Sequence, residues 1–388
     1  MDYFSSNFTL GILGGGQLGK MLLYETRKWD LQTRVLDPSA EAPARIASNT
    51  FVKGDLMDYQ TVVDFGKGLD LLTIEIENVN VSALEALEKD GVTVYPSSQT
   101  LKVIQNKARQ KLFYRDSGIP TAPFSRFAYT NEILDSIENG GLSFPFVWKS
   151  ARFGYDGQGV KIVRNKEDLA TLDNVECIAE ELIPFKNELA VIVARNTEGE
   201  TTTYPVVEME FHPEANQVEY VLCPARIPEE VQLRAREVAL KVSEQLGHVG
   251  LLAVELFQTE EDAILVNEVA PRPHNSGHYS IEGSYTNQFE QHLRAILGLP
   301  LGKTDSKVSA VMVNLVGAEG HKGEVRYQGI EKILELPGVT PHIYGKRLTR
   351  PFRKMGHVTI VDPSIDRARE RAREVKENIE VVSKQKSS

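Results

Sequence analysis

In the stretch LLAVELFQTEEDAILVNEVAPRPHNSGH, two apolar runs, Leu251 to Phe257 and Ala263 to Val269, flank the polar segment Gln258 to Asp262. That pattern commits the stretch to a β-hairpin. With the turn centred between Glu261 and Asp262, Glu255 falls opposite Glu268, and such a pair has β-carbons about 5 Å apart on one face. Like charges placed there repel, so the arrangement does not serve stability. One reading is a solvated strand face that carries two acids, since charged residues are mostly exposed. The other is a site for a hard divalent cation, because Mg²⁺ is held by one or two carboxylates plus substrate phosphates. The residues around and after Glu268 favour the second. Asn267, Arg272, His274, Asn275, Ser276 and His278 crowd a loop that contains proline and glycine, a density of polar groups that a plain surface loop does not need.

The chain has 388 residues, enough for two to four domains and a sizeable core. Its net charge of −10, with no basic block before Lys346–Lys354, argues against a nucleic-acid partner. A small anionic substrate needs only a local basic pocket and stays open. No run of 18 apolar residues occurs, so no transmembrane helix and no membrane partner are expected. The first residues lack the positive segment of a signal peptide. Cys177 and Cys223 form no ligand or redox motif and read as packed thiols of a reducing, cytoplasmic compartment.

Strand and helix signals alternate over the first hundred residues: LGILGG, then Gln17 to Trp29; TRVLDPS; DLLTIEIENV, then Val81 to Lys89; VTVYPSS. This βαβ repeat implies an open parallel sheet. Ser98 to Ser117 reads as one long helix, with Leu101, Ile104, Ala108 and Leu112 on its apolar stripe. Strand pieces FPFVWKS and VKIVRN surround a glycine loop, Glu229–Leu246 is helical, and Ser364 to Val382 reads as a terminal amphipathic helix. The fold class is therefore α/β, and α+β in part.

Two glycine loops carry chemistry. Gly14-Gly15-Gly16-Gln17-Leu18-Gly19 fits G-x-G-x-x-G between a strand and a helix, with Asp37 ending the next strand. It admits a nicotinamide cofactor's pyrophosphate, another substrate's phosphate, or a tight structural turn. The second, Arg152 to Val160, follows Lys149 on a strand and offers many backbone donors to a triphosphate. The bland alternative is a glycine-rich hairpin. Glu180-Glu181-Leu182-Ile183 ends a strand, a position from which backbone groups can reach an adenine edge and a carboxylate a ribose. Glu188 begins a strand and His212 ends one; by themselves these acids and this histidine read as surface residues. Lys346, Arg347, Arg350, Arg353 and Lys354 form a basic cluster that reads as a solvated face or as a phosphate clamp.

Taken together, GGGQLGKML, GIPTAPF, GYDGQG, NEVAPRPHNSGHYSIEG and RKMGHVT resemble the ATP-grasp superfamily. Within it they are similar to the 5-(carboxyamino)imidazole ribonucleotide synthetase family, over most of the chain from Gly11 to Val361. The resemblance implies a Rossmann-like N-terminal domain (1–117), a small lid domain (118–192) and a large domain with a substrate-phosphate-binding subdomain (193–388). It implies ATP and Mg²⁺ as cofactors, bicarbonate as co-substrate, aminoimidazole ribonucleotide as substrate, and a homodimer. Lys107 and Lys149 would contact ATP. Gly154, Tyr155, Asp156, Gly157, Gln158 and Gly159 would form the lid loop. Glu180, Glu181, Leu182 and Ile183 would hold adenine and Glu188 the ribose, with His212 at the border. Glu255 and Glu268 would bind Mg²⁺, with Asn267 beside them. Gln17, Leu18, Tyr155, Asp156, Lys346, Arg353 and Lys354 would bind the ribonucleotide, and Arg272, His274 and Lys149 would act in catalysis. The family often has arginine where Lys107 stands. A biotin-carboxylase-like or formate-using ligase would share the hairpin but need not share the basic cluster. An NAD-dependent oxidoreductase leaves the paired glutamates without a role, and a non-catalytic nucleotide-binding regulator could dispense with Glu255, Glu268 or Lys149.

Overall fold

The computed structural model describes residues 3–152, 159–212 and 217–384. Buried strands alternate with amphipathic helices at the start of the chain, and a crossover helix lets successive strands run in the same direction. The resulting parallel sheet has the order Thr50–Lys53, Gln32–Asp37, Thr9–Leu13, Leu71–Ile74, Thr93–Val94. Helices Tyr59–Gly66 and Val81–Lys89 cover one face through Val62, Leu84 and Leu87. Helix Gln17–Lys28 packs on the other through Leu18 and Leu22, beside Phe289 and Leu293 of the distant helix Gln288–Ile296. Strand order reverses between Thr9–Leu13 and Leu71–Ile74, so the ligand crevice of such a sheet opens beyond their carboxyl ends, between Gly14 and Glu75.

The single helix expected over Ser98 to Ser117 is two, Ser98–Ile104 and Lys107–Asp116. Asn106 is the physical reason. Its Oδ1 accepts a hydrogen bond from the Arg109 amide (2.9 Å), a capping bond that competes with continuation of the first helix. Gln105 Nε2 donates to the carbonyls of Glu77 (2.7 Å) and Val79 (2.8 Å), which turns the chain further. The break sets Lys107 at the first position of the second helix, with its amide on the Ala151 carbonyl (2.8 Å).

A four-stranded antiparallel sheet follows, in the order Phe124–Phe127, Cys177–Glu181, Phe146–Ser150, Val160–Val163. Phe146 and Trp148 point into a small core with Ile133 and Leu169. Alternation therefore turns Lys149 to the opposite face, where Ile178 packs on Ala108 of helix Lys107–Asp116.

The largest sheet has nine strands among the described residues. Its path runs Ile264–Ala270, Gly250–Thr259, Phe185–Arg195, Val207–Phe211, Val218–Cys223, Ser309–Val316, Lys354–Asp362, Val339–Ile343, with Thr201–Thr203 on one side. Helix Glu229–Leu246 seals one face of the hairpin through Val231, Ala235, Ala239 and Val242 against Val254, Leu256, Val266 and Val269. The other face presents Glu188, Ala190 and Glu255. The terminal helix ends at Asn378, short of the expected Val382, because the β-branched run after it pairs as strand Glu380–Ser383 with Gly323–Gln328. No described helix is long and apolar enough to cross a membrane, and both cysteines are buried free thiols.

Because Asn106 sets the helix break, Asn106→Ala should lower stability against urea by about 1 kcal/mol, the usual worth of such a cap. An unchanged unfolding midpoint would mean that packing alone imposes the break.

Candidate active site

The hairpin pairs Glu255 with Glu268, as its alternation predicts, but by a different route. Gln258 pairs with Ile264, so the turn is centred on Glu261, one half-step earlier than the sequence suggests, and the register shifts again between Glu255 and Leu256. Asn267 is the extra residue of that bulge. Core residues Val266 and Val269 are three positions apart instead of two, and both intervening side chains, Asn267 and Glu268, serve the face opposite helix Glu229–Leu246. The bulge thus adds an amide beside the acid pair without disturbing the pair.

Burial, and then the charges of Glu268 and Glu188, hold the Glu255 carboxyl well above the usual carboxylate range. Glu268 lies well below it, because the Lys107 ammonium sits 2.5 Å from its Oε2. Glu188 is pushed up to about 7 by burial, with Lys149 opposing and Glu268 adding. Among the described residues no group of three His, Cys, Asp or Glu side chains could hold a metal ion. A cation here would have two protein carboxylates and would complete its shell from water or substrate oxygens. That donor set fits Mg²⁺ beside phosphates, and the charge conflict at Glu255 is what a cation would relieve.

Three lysines approach from outside the hairpin. Lys149 donates to Asn267 Oδ1 (2.9 Å) and lies 2.9 Å from Glu180 Oε2. Lys107 reaches Glu268, and Lys111, one helical turn on, lies 3.1 Å from Glu180 Oε1. Burial opposes the charge of Glu180, but Lys149 and Lys111 outweigh it and hold the carboxyl below its usual range. Glu181 beyond it is exposed, and Leu182 and Ile183 are half-buried at the end of the same strand.

The loop after the hairpin brings two more groups in. His274 Nε2 lies 3.6 Å from Glu255 Oε1, and its Nδ1 is 3.0 Å from Ser276 Oγ. Gln288 ties the loop down, accepting from the His274 amide (2.8 Å) and donating to the His274 carbonyl (2.8 Å). Arg272 pairs with Glu77 of the N-terminal region (2.9 Å). In the basic cluster, Lys346 donates to the Lys354 carbonyl (2.8 Å) and Arg353 to the Leu348 carbonyl (2.6 Å). The charge of Lys354 acts on Glu255, which links the cluster to the acid pair. His212 meets the loop of this cluster, its ring 6.2 Å from that of Phe352 between centroids.

The first glycine loop is not an open anion cradle. Gly16 and Gly19 donate their amides to Glu75 (3.0 and 3.1 Å), and Gly15 donates to Asp37 (2.7 Å). Asp37 also accepts from the Ser39 amide (2.8 Å), so the acid that a dinucleotide ribose would use is already engaged. The Leu18 side chain is core, and Gln17 beside it is half-buried. Of the second loop, Gly154, Tyr155, Asp156, Gly157 and Gln158 lie outside the described residues. Gly159 is described, in left-handed backbone (φ 75°), with its carbonyl accepting from the Ser150 amide (2.9 Å). Sequence reasoning misses Lys111, Glu75 and Glu77. A signal for Lys111 exists: it lies three residues beyond Ala108 on the buried side of its helix.

A small antiparallel sheet and a large one, with Lys149 of the first on Asn267 of the second and Lys107 of the helix Lys107–Asp116 on Glu268, define an ATP-grasp protein. The ATP-grasp domain model matches residues 112–289, flanked by matches to the ribonucleotide synthetase preATP-grasp domain over residues 8–105 and to the phosphoribosylaminoimidazole carboxylase C-terminal domain over residues 310–371. The chain is 36% identical over 360 residues to the N5-carboxyaminoimidazole ribonucleotide synthase of Bacillus subtilis, covering 91% of each. The N5-carboxyaminoimidazole ribonucleotide synthetase structure from Thermotoga maritima superposes with a TM-score of 0.89 at 42% identity, over 97% of this chain and all of that one. The Aspergillus clavatus enzyme, solved with ADP and 5-aminoimidazole ribonucleotide, gives 0.87 at 33% identity over 95% and 98%. The chain spans 64% of the length of the chloroplastic phosphoribosylaminoimidazole carboxylase of Vigna aconitifolia, to which it is 38% identical over 365 residues, 92% of this chain. It belongs to the N5-carboxyaminoimidazole ribonucleotide synthetase family.

The acid cluster makes stability depend on pH in the ligand-free protein. Glu188 has a folded-state pKa of about 7 against an ordinary 4.5, so its contribution is intact below pH 4.5 and is lost as pH rises through 7. Glu188→Gln should therefore stabilise the protein at pH 8 by an amount on the order of 2 kcal/mol and have little effect at pH 4.5. Equal effects in denaturant titrations at the two pH values would contradict this origin.

Proposed function

We propose that the chain carboxylates 5-aminoimidazole ribonucleotide, using ATP and bicarbonate, to give 5-(carboxyamino)imidazole ribonucleotide, ADP and phosphate in purine biosynthesis. The observation that carries this reading is the facing Glu255–Glu268 pair with Lys107 and Lys149 converging on it from two other elements. The family relationship supports it, as does the Aspergillus clavatus complex with ADP and the ribonucleotide.

In this reading the small antiparallel sheet closes over the nucleotide as a lid (118–192) between the parallel-sheet domain (1–117) and the large domain (193–388). The strand end Glu180–Ile183 meets adenine, Glu188 the ribose, and His212 borders the pocket. Mg²⁺ held by Glu255 and Glu268, with Asn267 beside them, would neutralise charge on the transferred phosphoryl group. Lys107 and Lys149 change partners from carboxylate to phosphate and stabilise the same charge. A bicarbonate oxygen attacks the γ-phosphorus, the bond to ADP breaks, and carboxyphosphate results. Arg272, steadied by Glu77, holds that anion, and His274 supports it. The exocyclic amine of the ribonucleotide then attacks the carboxyl carbon, or carbon dioxide released beside it, phosphate leaves, and the amine loses a proton. Lys346, Arg353 and Lys354 clamp the ribonucleotide's 5′-phosphate, with Tyr155, Asp156 and the first turn of the glycine-loop helix, Gln17 and Leu18, around the base and sugar. Closure keeps water from the acyl phosphate. We further infer a cytoplasmic homodimer.

The test is ADP release by the purified chain with ATP, Mg²⁺ and bicarbonate, with and without the ribonucleotide. ADP formation should depend on the ribonucleotide, and Glu268→Gln should lower it on the order of a hundredfold or more with the circular-dichroism spectrum unchanged. ADP formation that ignores the ribonucleotide would sink the substrate assignment.

A further inference from the structure

Lys111 and Glu180 are both nearly inaccessible, each 2% exposed, and Lys149 is only 6% exposed. Glu180 lies between the two ammonium groups, at 3.1 Å from Lys111 and 2.9 Å from Lys149. The two lysines are held differently. Lys111 donates to Thr121 Oγ1 (2.6 Å), and that hydroxyl donates to the carbonyl of Val266 (2.7 Å), one residue before the bulge. Lys111 is therefore anchored to the large sheet. Lys149 belongs to the small sheet, and its second partner, Asn267, is neutral. A buried carboxylate tolerates the loss of one counter-charge only if another remains, because an unpaired buried charge is strongly destabilising.

We propose that Lys111 is a positioning residue for the nucleotide: it stays on Glu180 and so lets Lys149 leave that carboxylate for the phosphates. This rests on the ATP reading above. Without Lys111, Glu180 would hold Lys149 as its sole counter-ion, and nucleotide binding would have to break the last ion pair of a buried acid. Lys111 lies off the acid pair itself, and its pKa, lowered by burial to about 8, leaves it mostly charged at neutral pH. Its effect runs through Lys149 and reaches the nucleotide, not the ribonucleotide.

Titration calorimetry of the full chain with ADP and Mg²⁺, together with KM values for ATP and the ribonucleotide, tests this. Lys111→Met should weaken ADP binding and raise the KM for ATP by about tenfold or more, the scale of one lost charge contact, with the KM for the ribonucleotide changed by less than about threefold. In the double variant Lys111→Met with Glu180→Gln the buried carboxylate is gone together with its anchored partner, and Lys149 keeps Asn267 and the attraction of Glu188 and Glu268. This double variant should fold even if the single variant does not, and should bind ADP within about threefold of Glu180→Gln alone, since Lys111 acts only through the Glu180 carboxylate. Wild-type affinity in Lys111→Met overturns the proposal while the ATP reading stands. A folded double variant that binds ADP at least tenfold more weakly than Glu180→Gln alone also overturns it. Failure of the wild-type chain to bind ADP removes the ATP reading and this inference with it.

Discussion

Two carboxylates forced onto one face of a hairpin are the constraint from which the rest of the site follows. Glu255 and Glu268 repel, Glu188 adds a third acid across the neighbouring strand, and burial magnifies the conflict. Such a cluster persists only if cations come to it. In the structure they are lysines, and each arrives from a different place: Lys107 from a helix start, Lys149 from the small sheet. The local devices that seem incidental in isolation serve this convergence. Asn106 breaks a helix so that Lys107 begins a new one, and the bulge at Asn267 supplies an acceptor for Lys149.

The same logic extends outward. Arg272, just past the hairpin, is held by Glu77, so the loop that follows the acid pair is tied to the parallel-sheet region. The basic cluster reaches the pair through Lys354. The glycine loop follows the opposite pattern: its amide donors are satisfied internally by Glu75 and Asp37, which places a half-buried acid at the point where the parallel sheet reverses its strand order. A loop that resembles a dinucleotide motif thus lacks the open donors and the free acid that a dinucleotide needs.

Legibility in the sequence tracks how local the cause is. Helices Val81–Lys89 and Glu229–Leu246 and the facing glutamates follow from periodicity within one segment, and they are read at their true positions. The turn centre and the bulge are not read, although the two adjacent polar residues in VNEV interrupt the alternation and signal it. The long helix over Ser98 to Ser117 is misread because an apolar stripe survives a one-residue cap. Lys111 is missed because a lysine in an amphipathic helix reads as solvated; only Glu180 and Thr121, brought in by tertiary contacts, explain its burial. Resemblance to known motifs reaches the family, but contacts such as Arg272–Glu77 and Glu75 on the glycine loop belong to the assembled chain alone.

We propose that the acid pair exists to hold a divalent cation against nucleotide phosphates. Anomalous scattering from a crystal of the chain grown with Mn²⁺ and ADP tests it most directly. A manganese peak is expected in contact with both the Glu255 and Glu268 carboxylates and with nucleotide phosphate oxygens. Manganese held by the nucleotide alone, with Glu268 still paired to Lys107, would contradict it.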